Sequence, residues 1–244
     1  MPGLNWLIAR PVAHRGLHDA AAGVIENTPS AFAAAIAGNY AIECDLQISA
    51  DGEAMVHHDD ALGRLTEGSG RLDAMSAAEL RRIPFRATAD RMISLGDLCE
   101  LVAGRVTLVI EMKSRFDGER RLVDRAAQVL SNYAGPVALM SFDPAQIAQL
   151  RALAPRLPRG IVAESRYRDH LSSRTKGALA YVRGALGARP QFIAYGVKDL
   201  PAAAPWLARA LFGLPLLTWT VRSEEDRARA ARWADQMIFE GFRP

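Results

Sequence analysis

The residues of this sequence that could do chemistry are concentrated in its first half, where two carboxylates occupy alternate positions of one apolar segment. Glu43 and Asp45 lie in Ala41–Ile48, and because side chains alternate along a strand they project from the same face. Two carboxylates are costly to bury unless positive charge lies between them. A hard divalent cation with oxygen ligands meets that need, and a strand end that reaches solvent is the alternative interpretation.

A second segment repeats this pattern and adds a fixed positive charge. Glu111 and Lys113 share one face at the end of the apolar run Val106–Lys113, and His14 and Arg15 close the first apolar run of the chain. In a (β/α)₈ barrel the carboxyl ends of the strands converge on one face, so these groups would meet there.

A hairpin signal selects between two adjacent histidines. Asp51-Gly52 is typical of a two-residue turn between antiparallel strands, and with that turn Asp45 lies opposite His58. We therefore predict that His58 shares the face of the carboxylates and that His57 packs behind the hairpin.

The resulting set of groups is suited to a phosphate ester. A cation and two basic side chains can neutralise charge on the phosphoryl oxygens. A histidine pair can deprotonate a nucleophile and protonate a leaving alcohol near neutral pH. A glycosidase would need paired carboxylates without so many cations, and the sequence has no local signature of a serine or thiol triad.

Short apolar runs alternate with amphipathic helical segments along the chain, and these elements must position the reactive groups. The eight strand-like runs are Pro11–His14, Ala41–Ile48, Val106–Lys113, Val137–Phe142, Gly160–Glu164, Phe192–Val197, Pro215–Val221 and Met237–Glu240. Eight βα units predict an α/β fold of the closed (β/α)₈ TIM-barrel type rather than an open doubly wound sheet. The first helix is predicted to begin at Pro29, with Thr28 as its N-cap, and to end before Gly38.

One connection is longer than a compact barrel needs. Residues 59–90 are polar, contain glycine and lack a strand-like run, which predicts a short insertion after the second strand. No other boundary is visible, so we expect residues 1–244 to form a single domain.

The sequence resembles the glycerophosphodiester phosphodiesterase family at a series of spaced motifs. The matches are His14-Arg15-Gly16, Glu26-Asn27-Thr28, Glu43-x-Asp45, Asp51-Gly52, His58-Asp59, Arg64 with Thr66, Glu111-x-Lys113 and, more weakly, Ser141-Phe142-Asp143 and Thr218-Trp219-Thr220-Val221. They span most of the chain, and their combination is far more specific than any one of them.

The resemblance implies metal-dependent cleavage of a small-molecule glycerophosphodiester into glycerol 3-phosphate and an alcohol. Carried over by position, Glu43, Asp45 and Glu111 would hold one divalent ion, Ca²⁺ or Mg²⁺. The attacking group is either the neighbouring glycerol hydroxyl, through a cyclic phosphate, or water.

The resemblance also implies roles for the remaining groups. His14 and His58 would form the general acid/base pair, and related barrel phosphodiesterases favour His14 as the base. Arg15 and Lys113 would bind the phosphate. Trp219 would stack on the substrate or fill the core.

Two departures from the family's pattern leave the substrate open. Arg222 stands where the family usually has Asn, and Glu240-Gly241-Phe242-Arg243-Pro244 replaces the usual Thr-Asp-Arg/Lys-Pro ending. Glu240 either points to the active-site rim or is an ordinary exposed carboxylate. The alternatives are a related barrel phosphodiesterase for lysophospholipids, phosphoinositides or sugar phosphodiesters, and a non-catalytic binding barrel.

The composition excludes several classes of protein. The 244 residues are 50% hydrophobic and 23% charged, with two cysteines, which excludes a disordered chain and a disulfide scaffold. The net charge is only +3, and the sequence contains no basic stripe or module typical of nucleic-acid binding. Without a visible secretory signal or an apolar run of about 20 residues, we expect a cytoplasmic protein with no transmembrane segment.

The positive charge is concentrated in one part of the chain. Within residues 165–176, Arg166, Arg168 and Arg174 would lie on the active-site rim and attract anionic diesters or an anionic membrane surface. A solvated basic loop is the alternative.

Overall fold

A closed ring of parallel strands forms the centre of the protein in the computed structural model, which describes residues 3–165 and 184–244. The parallel strands are β1 (Val12–Ala13), β2 (Ala41–Ile48), β4 (Leu108–Met112), β5 (Val137–Ser141), β6 (Arg159–Ala163), β7 (Phe192–Gly196), β8 (Leu216–Val221) and β9 (Gln236–Phe239). Strand β1 pairs with both β2 and β9, which closes the barrel. The predicted (β/α)₈ TIM barrel is confirmed, with strand ends within two residues of those expected.

Helices lie between the strands and cover the outside of the barrel. Their bounds are α1 (Pro29–Ala37), α2 (Ala77–Leu80), α3 (Leu95–Val102), α4 (Arg121–Leu130), α5 (Pro144–Leu153), α6 (Ala203–Phe212) and α7 (Glu224–Trp233). Helix α1 begins at Pro29 and ends before Gly38, as predicted. Thr28 precedes it in extended conformation, but its hydroxyl donates to Ile25 O (2.7 Å) instead of accepting from the helix.

The two faces of each strand bury two different sets of apolar side chains. Inside the barrel, Val12, Val109, Val162 and Ile238 pack together with side chains of the other strands. On the outer face of β2, Ile42, Cys44 and Leu46 pack under the helices. Burying one aliphatic side chain of this size stabilises the fold by about 1.5–3 kcal/mol. The alternation leaves Glu43 and Asp45 on the inner face, as the sequence predicts.

The hairpin after β2 has a register that differs from the predicted one. Strand β3 (Ala54–Val56) is antiparallel to β2, and its Met55 pairs with Gln47, so a continuation of the ladder would place His57, not His58, opposite Asp45. The predicted register is therefore wrong by one residue. The turn contains three residues because Ser49 closes it: its backbone N–H donates to Glu53 O (3.0 Å), and its hydroxyl accepts from Glu53 N–H (2.8 Å).

The long connection folds as an insertion with an apolar cluster of its own. It contains α2 and the short 3₁₀ helix Leu72–Ala74, and it follows β3 rather than β2 directly. Its buried side chains pack against Met55 of the hairpin, and they include Leu62, Leu72, Leu80 and Phe85. This packing fixes the insertion beside the carboxyl end of β2.

Within the ranges 3–165 and 184–244, no helix has the length and apolar character needed to cross a membrane. The expected cytoplasmic location and the absence of a nucleic-acid partner stay predictions. The basic residues Arg166, Arg168 and Arg174, expected to contact anionic diesters or surfaces, lie outside the described residues.

Candidate active site

The carboxyl ends of the parallel strands surround a cavity of about 760 Å³. The predicted site residues that line this cavity are His14, Arg15, Glu43, His58, Glu111, Lys113 and Trp219. Asp45 is buried behind them, with 1% of its surface exposed. The structure thus brings together, at the end where TIM barrels carry their sites, the groups selected from the sequence.

Three carboxylates form a compact buried cluster at this end of the barrel. Glu43, Asp45 and Glu111 each offer an oxygen, and these oxygens lie within 4.8 Å of one another. Asp45 and Glu111 are neighbours because β2 and β4 pair in that register. Burial and the adjacent carboxylates raise the pKa of Glu43 well above its ordinary value, so added positive charge would stabilise the cluster. A cluster of buried carboxylate oxygens is the donor set that hard divalent cations prefer, and it fits such an ion.

Lys113 compensates part of this negative charge. Its Nζ lies 2.8 Å from Asp45 Oδ1 and 2.7 Å from Glu111 Oε1. Burial opposes the charged ammonium, but the two carboxylates outweigh it and raise the pKa of Lys113. For Asp45, burial alone would raise the pKa, but the positive charges of Lys113 and Arg15 hold that pKa well below its ordinary value. Asp45 is therefore the carboxylate of the cluster most strongly held in its ionised form.

The loop after β1 presents Arg15 to the cluster in an unusual backbone conformation. Arg15 has φ +57°, and its backbone N–H donates to Glu43 Oε2 (3.0 Å). Its Nε lies 3.3 Å from Asp45 Oδ2. The next residue, Gly16, has φ +81°, and a Cβ there would lie 2.8 Å from the Ala31 Cβ. Glycine is thus required at the turn that aims Arg15 inward.

Two residues before α1 contact the site and hold its charged groups in place. Asn27 Nδ2 donates to Asp45 Oδ2 (2.8 Å), and its own Oδ1 accepts from Asp45 N–H (3.3 Å). Glu26 accepts from Arg15 (2.7 Å) and from Arg64 of the insertion (2.7 Å). Through these contacts with Asp45 and Arg15, the loop before α1 orients the charged groups of the site.

His14 follows β1 and is almost completely buried. Its Nδ1 lies 2.5 Å from Glu240 Oε2, and its Nε2 lies 3.9 Å from Glu43 Oε2. Burial lowers the pKa of His14, although the hydrogen bond to Glu240 opposes that effect. The sequence left two interpretations of Glu240, a residue of the active-site rim or an ordinary exposed carboxylate. Its contact with His14 places it in the site.

His58 reaches the cavity even though the predicted register is wrong. Strand β3 ends at Val56, so the alternation of faces does not continue to the histidines. His57 is buried at 2% exposure, and its Nδ1 accepts from Asp59 N–H (3.1 Å). This turn directs His58 to the cavity, where its Nδ1 lies 2.8 Å from Asp59 Oδ1. Burial and then Lys113 lower the pKa of His58.

Comparison with known proteins assigns this arrangement to a family. A model of the glycerophosphoryl diester phosphodiesterase family matches residues 14–242, a range that contains every predicted site residue. The chain belongs to this family. The family name is that of a phosphoric diester hydrolase, in agreement with the resemblance seen in the sequence motifs.

Individual proteins are similar to this chain in sequence or in fold. A glycerophosphodiester phosphodiesterase of Caldanaerobacter subterraneus is 29% identical over 163 residues, which are 62% of this chain and 65% of that protein's length. A solved structure from Silicibacter pomeroyi, named as a candidate glycerophosphoryl diester phosphodiesterase, is 25% identical with a TM-score of 0.77, covering 94% of this chain and 89% of that one. An Oleispira antarctica phosphodiesterase, solved with its product sn-glycerol-3-phosphate, is 20% identical with a TM-score of 0.76 over 94% and 91% of the chains.

The two departures from the family's sequence pattern are in contact with each other in this family member. Arg222 Nε lies 2.5 Å from Glu240 Oε1 at the rim of the cavity. Burial would raise the pKa of Glu240, but the contacts with His14 and Arg222 hold it far below its ordinary value. The sequence singles out Arg222 and Glu240 separately, but no sequence pattern indicates that their side chains are in contact.

Trp219 lines the cavity from β8, so it forms a wall of the site as well as part of the packing. Its ring meets that of Phe142 edge to face, with centroids 5.6 Å apart. A second cavity of about 570 Å³ lies on the insertion side, and it shares His58 and Lys113 with the first. Charged side chains such as Arg71 and Asp73 line it, as charged side chains also line the first cavity.

Proposed function

We propose that this chain hydrolyses glycerophosphodiesters to glycerol 3-phosphate and an alcohol, with a divalent cation and with His14 and His58 as its acid/base pair. The observation that carries the proposal is the buried cluster of Glu43, Asp45 and Glu111 at a cavity that both histidines line. Family membership supports the reaction class.

The carboxylate cluster would hold the cation, which is either Ca²⁺ or Mg²⁺. When bound, such an ion supplies Lewis acidity and neutralises charge on a phosphoryl oxygen. Arg15 and Lys113 line the cavity beside the cluster, and their fixed charges would stabilise the other phosphoryl oxygens as negative charge develops.

The two histidines would move the protons of the reaction. One imidazole takes the proton of the attacking hydroxyl, whose oxygen forms a new bond to phosphorus. The bond from phosphorus to the leaving oxygen breaks, and the second imidazole donates its proton to that oxygen. We assign the base to His14 and the acid to His58, with either water or the neighbouring glycerol hydroxyl as the nucleophile. In the second case the first product is a cyclic phosphate, and water then breaks one of its ring P–O bonds to give glycerol 3-phosphate.

The cavities support a diester with two sizeable substituents. The two cavities, of about 760 and 570 Å³, share His58 and Lys113, where the phosphate would bind. The wall formed by Trp219 and Phe142 would contact the more apolar substituent.

Release of glycerol 3-phosphate from glycerophosphocholine tests the proposal. We expect activity with Mg²⁺ or Ca²⁺, loss of activity in a chelator and recovery when either ion is restored. Glu43→Gln should abolish activity and weaken metal binding measured by calorimetry, whereas Glu100→Gln, at an exposed position of α3, should leave both unchanged. An active chelated enzyme, or a wild type with added metal that is inert on a panel of diesters, would refute the proposal.

A further inference from the structure

The pairing of the first and last strands of the barrel brings Glu240 beside His14. Strands β1 and β9 are parallel, with Ala13 paired to Phe239, and His14 N–H donates to Phe239 O (2.9 Å). The residues that follow, His14 and Glu240, are thus neighbours across the barrel seam although 226 positions separate them.

This contact decides which nitrogen of His14 carries the proton. An ionised carboxylate only accepts hydrogen bonds, so the 2.5 Å contact with Glu240 Oε2 requires a proton on His14 Nδ1. In the neutral ring, Nε2 then has a free lone pair. That nitrogen lies 3.9 Å from Glu43 Oε2, on the side of the carboxylate cluster.

Arg222 occupies the second oxygen of the same carboxylate. Its Nε lies 2.5 Å from Glu240 Oε1, so each oxygen of Glu240 has its own partner. The side chain of Glu240 is 19% exposed, compared with 59% for Arg222. Because both oxygens are engaged, the carboxylate cannot rotate away from His14 without losing two charge-assisted contacts.

We propose that Glu240 is a positioning residue that holds His14 in the Nδ1-protonated tautomer, with Nε2 aimed at the reacting phosphate, and that Arg222 orients Glu240. The proposal rests on the proposed function, because it requires His14 to accept a proton through Nε2. A carboxylate that fixes the tautomer of a proton-transferring histidine raises the rate without touching the substrate.

The kinetic test compares variants at one rim of the barrel. Glu240→Ala should lower kcat by about 10- to 100-fold with KM nearly unchanged, because it affects proton transfer rather than binding. Glu240→Gln should retain more activity, since its amide oxygen can still accept from Nδ1. Arg222→Ala should lower kcat only a few-fold. Glu224→Gln, at an exposed carboxylate in the first turn of α7, is the control and should leave kcat, KM and the melting temperature unchanged.

A spectroscopic test does not depend on activity. The ¹⁵N shifts of the His14 imidazole, recorded above the ordinary histidine pKa of about 6.5, should show a protonated Nδ1 in the wild type and a shift towards the Nε2-protonated tautomer in Glu240→Ala. His14→Asn assigns the signal by removing it.

The outcomes separate the two proposals. An unprotonated Nδ1 in the wild type would overturn the positioning role, as would Glu240→Ala with unchanged tautomer and unchanged kcat. If Glu240→Ala lowered the melting temperature without changing the tautomer of His14, Glu240 would have only a structural role, holding β1 and β9 together. If the wild type hydrolyses no diester, the proposed function fails, and the tautomer measurement still decides what Glu240 does to His14.

Discussion

The two histidines of the site have the same kind of partner but obtain it in different ways. His14 contacts Glu240, which lies 226 positions away and is brought to it by closure of the barrel. His58 contacts Asp59, the next residue in the chain. In each case an arginine holds the carboxylate: Arg222 contacts Glu240, and Arg64 Nε lies 2.6 Å from Asp59 Oδ2.

The two environments also differ in their exposure to solvent. The side chain of His14 is 11% exposed and that of His58 is 32% exposed. Water can replace part of what Asp59 does for His58, while little water can reach the seam between His14 and Glu240. We therefore expect the His14 pair to be the more sensitive to loss of its carboxylate.

The largest expected effect is loss of either imidazole. His14→Asn and His58→Asn should each lower kcat for glycerophosphocholine by about 10²- to 10⁴-fold, the range typical of general acid/base catalysis. Steady-state release of glycerol 3-phosphate with added Mg²⁺ or Ca²⁺ measures it. If either variant kept full activity, the histidine that it lacks would have no role in the mechanism. The comparison between the environments of His14 and His58 would then not bear on catalysis.

Removal of the local carboxylate should have a smaller effect and shift the pH profile. Asp59→Asn should lower kcat less than tenfold, because His58 is partly exposed and water can accept the hydrogen bond that Asp59 now accepts. Burial and Lys113 already lower the pKa of His58, and the bond to Asp59 opposes them, so the variant should lower that pKa further. One limb of the kcat/KM profile should then move to lower pH.

The limb that moves identifies the role of His58. If His58 donates its proton, the alkaline limb shifts; if His58 accepts one, the acidic limb shifts. A shift to higher pH would contradict the environment seen in the structure.

His57 should matter for stability rather than for turnover. Its ring is buried near Phe85, with centroids 6.5 Å apart, and it accepts from Asp59 N–H. His57→Ala leaves that donor without its partner and should lower the free energy of unfolding by about 1–3 kcal/mol, measured by urea denaturation. With metal and substrate saturating, kcat should fall far less in His57→Ala than in His58→Asn. A larger fall in His57→Ala would mean that His57, and not His58, acts in catalysis.

The smallest expected effect concerns the exposed arginine behind Asp59. Arg64→Ala should lower kcat about two- to fivefold, since Arg64 is 46% exposed and Asp59 keeps its own bond to His58. The effect should shrink further at high salt, which screens exposed ion pairs. A larger loss than in Arg222→Ala would reverse the expected order of the two environments.

Several features of the fold could be predicted because they depend on neighbouring residues. The alternation of Ile42, Glu43, Cys44 and Asp45 between the two faces of β2 is a local property of an extended chain, and the structure confirms it. The start of α1 at Pro29 is equally local.

The hairpin shows where local reasoning fails. Asp51-Gly52 indicates a two-residue turn, but the hydroxyl of Ser49 closes a turn of three residues and moves the ladder by one position. His58 reaches the cavity although the predicted register is wrong, because β3 ends before the histidines and the turn at His57 directs His58 inward.

By itself, the sequence determined which residue types share a strand face, because that depends only on spacing along an extended chain. It thereby determined the carboxylate pair of β2 and the Glu111–Lys113 pair. Only the tertiary structure decided the partner of His14. The contact with Glu240 exists because hydrogen bonds between β1 and β9 close the barrel, and no local pattern encodes a pairing of residues 226 positions apart.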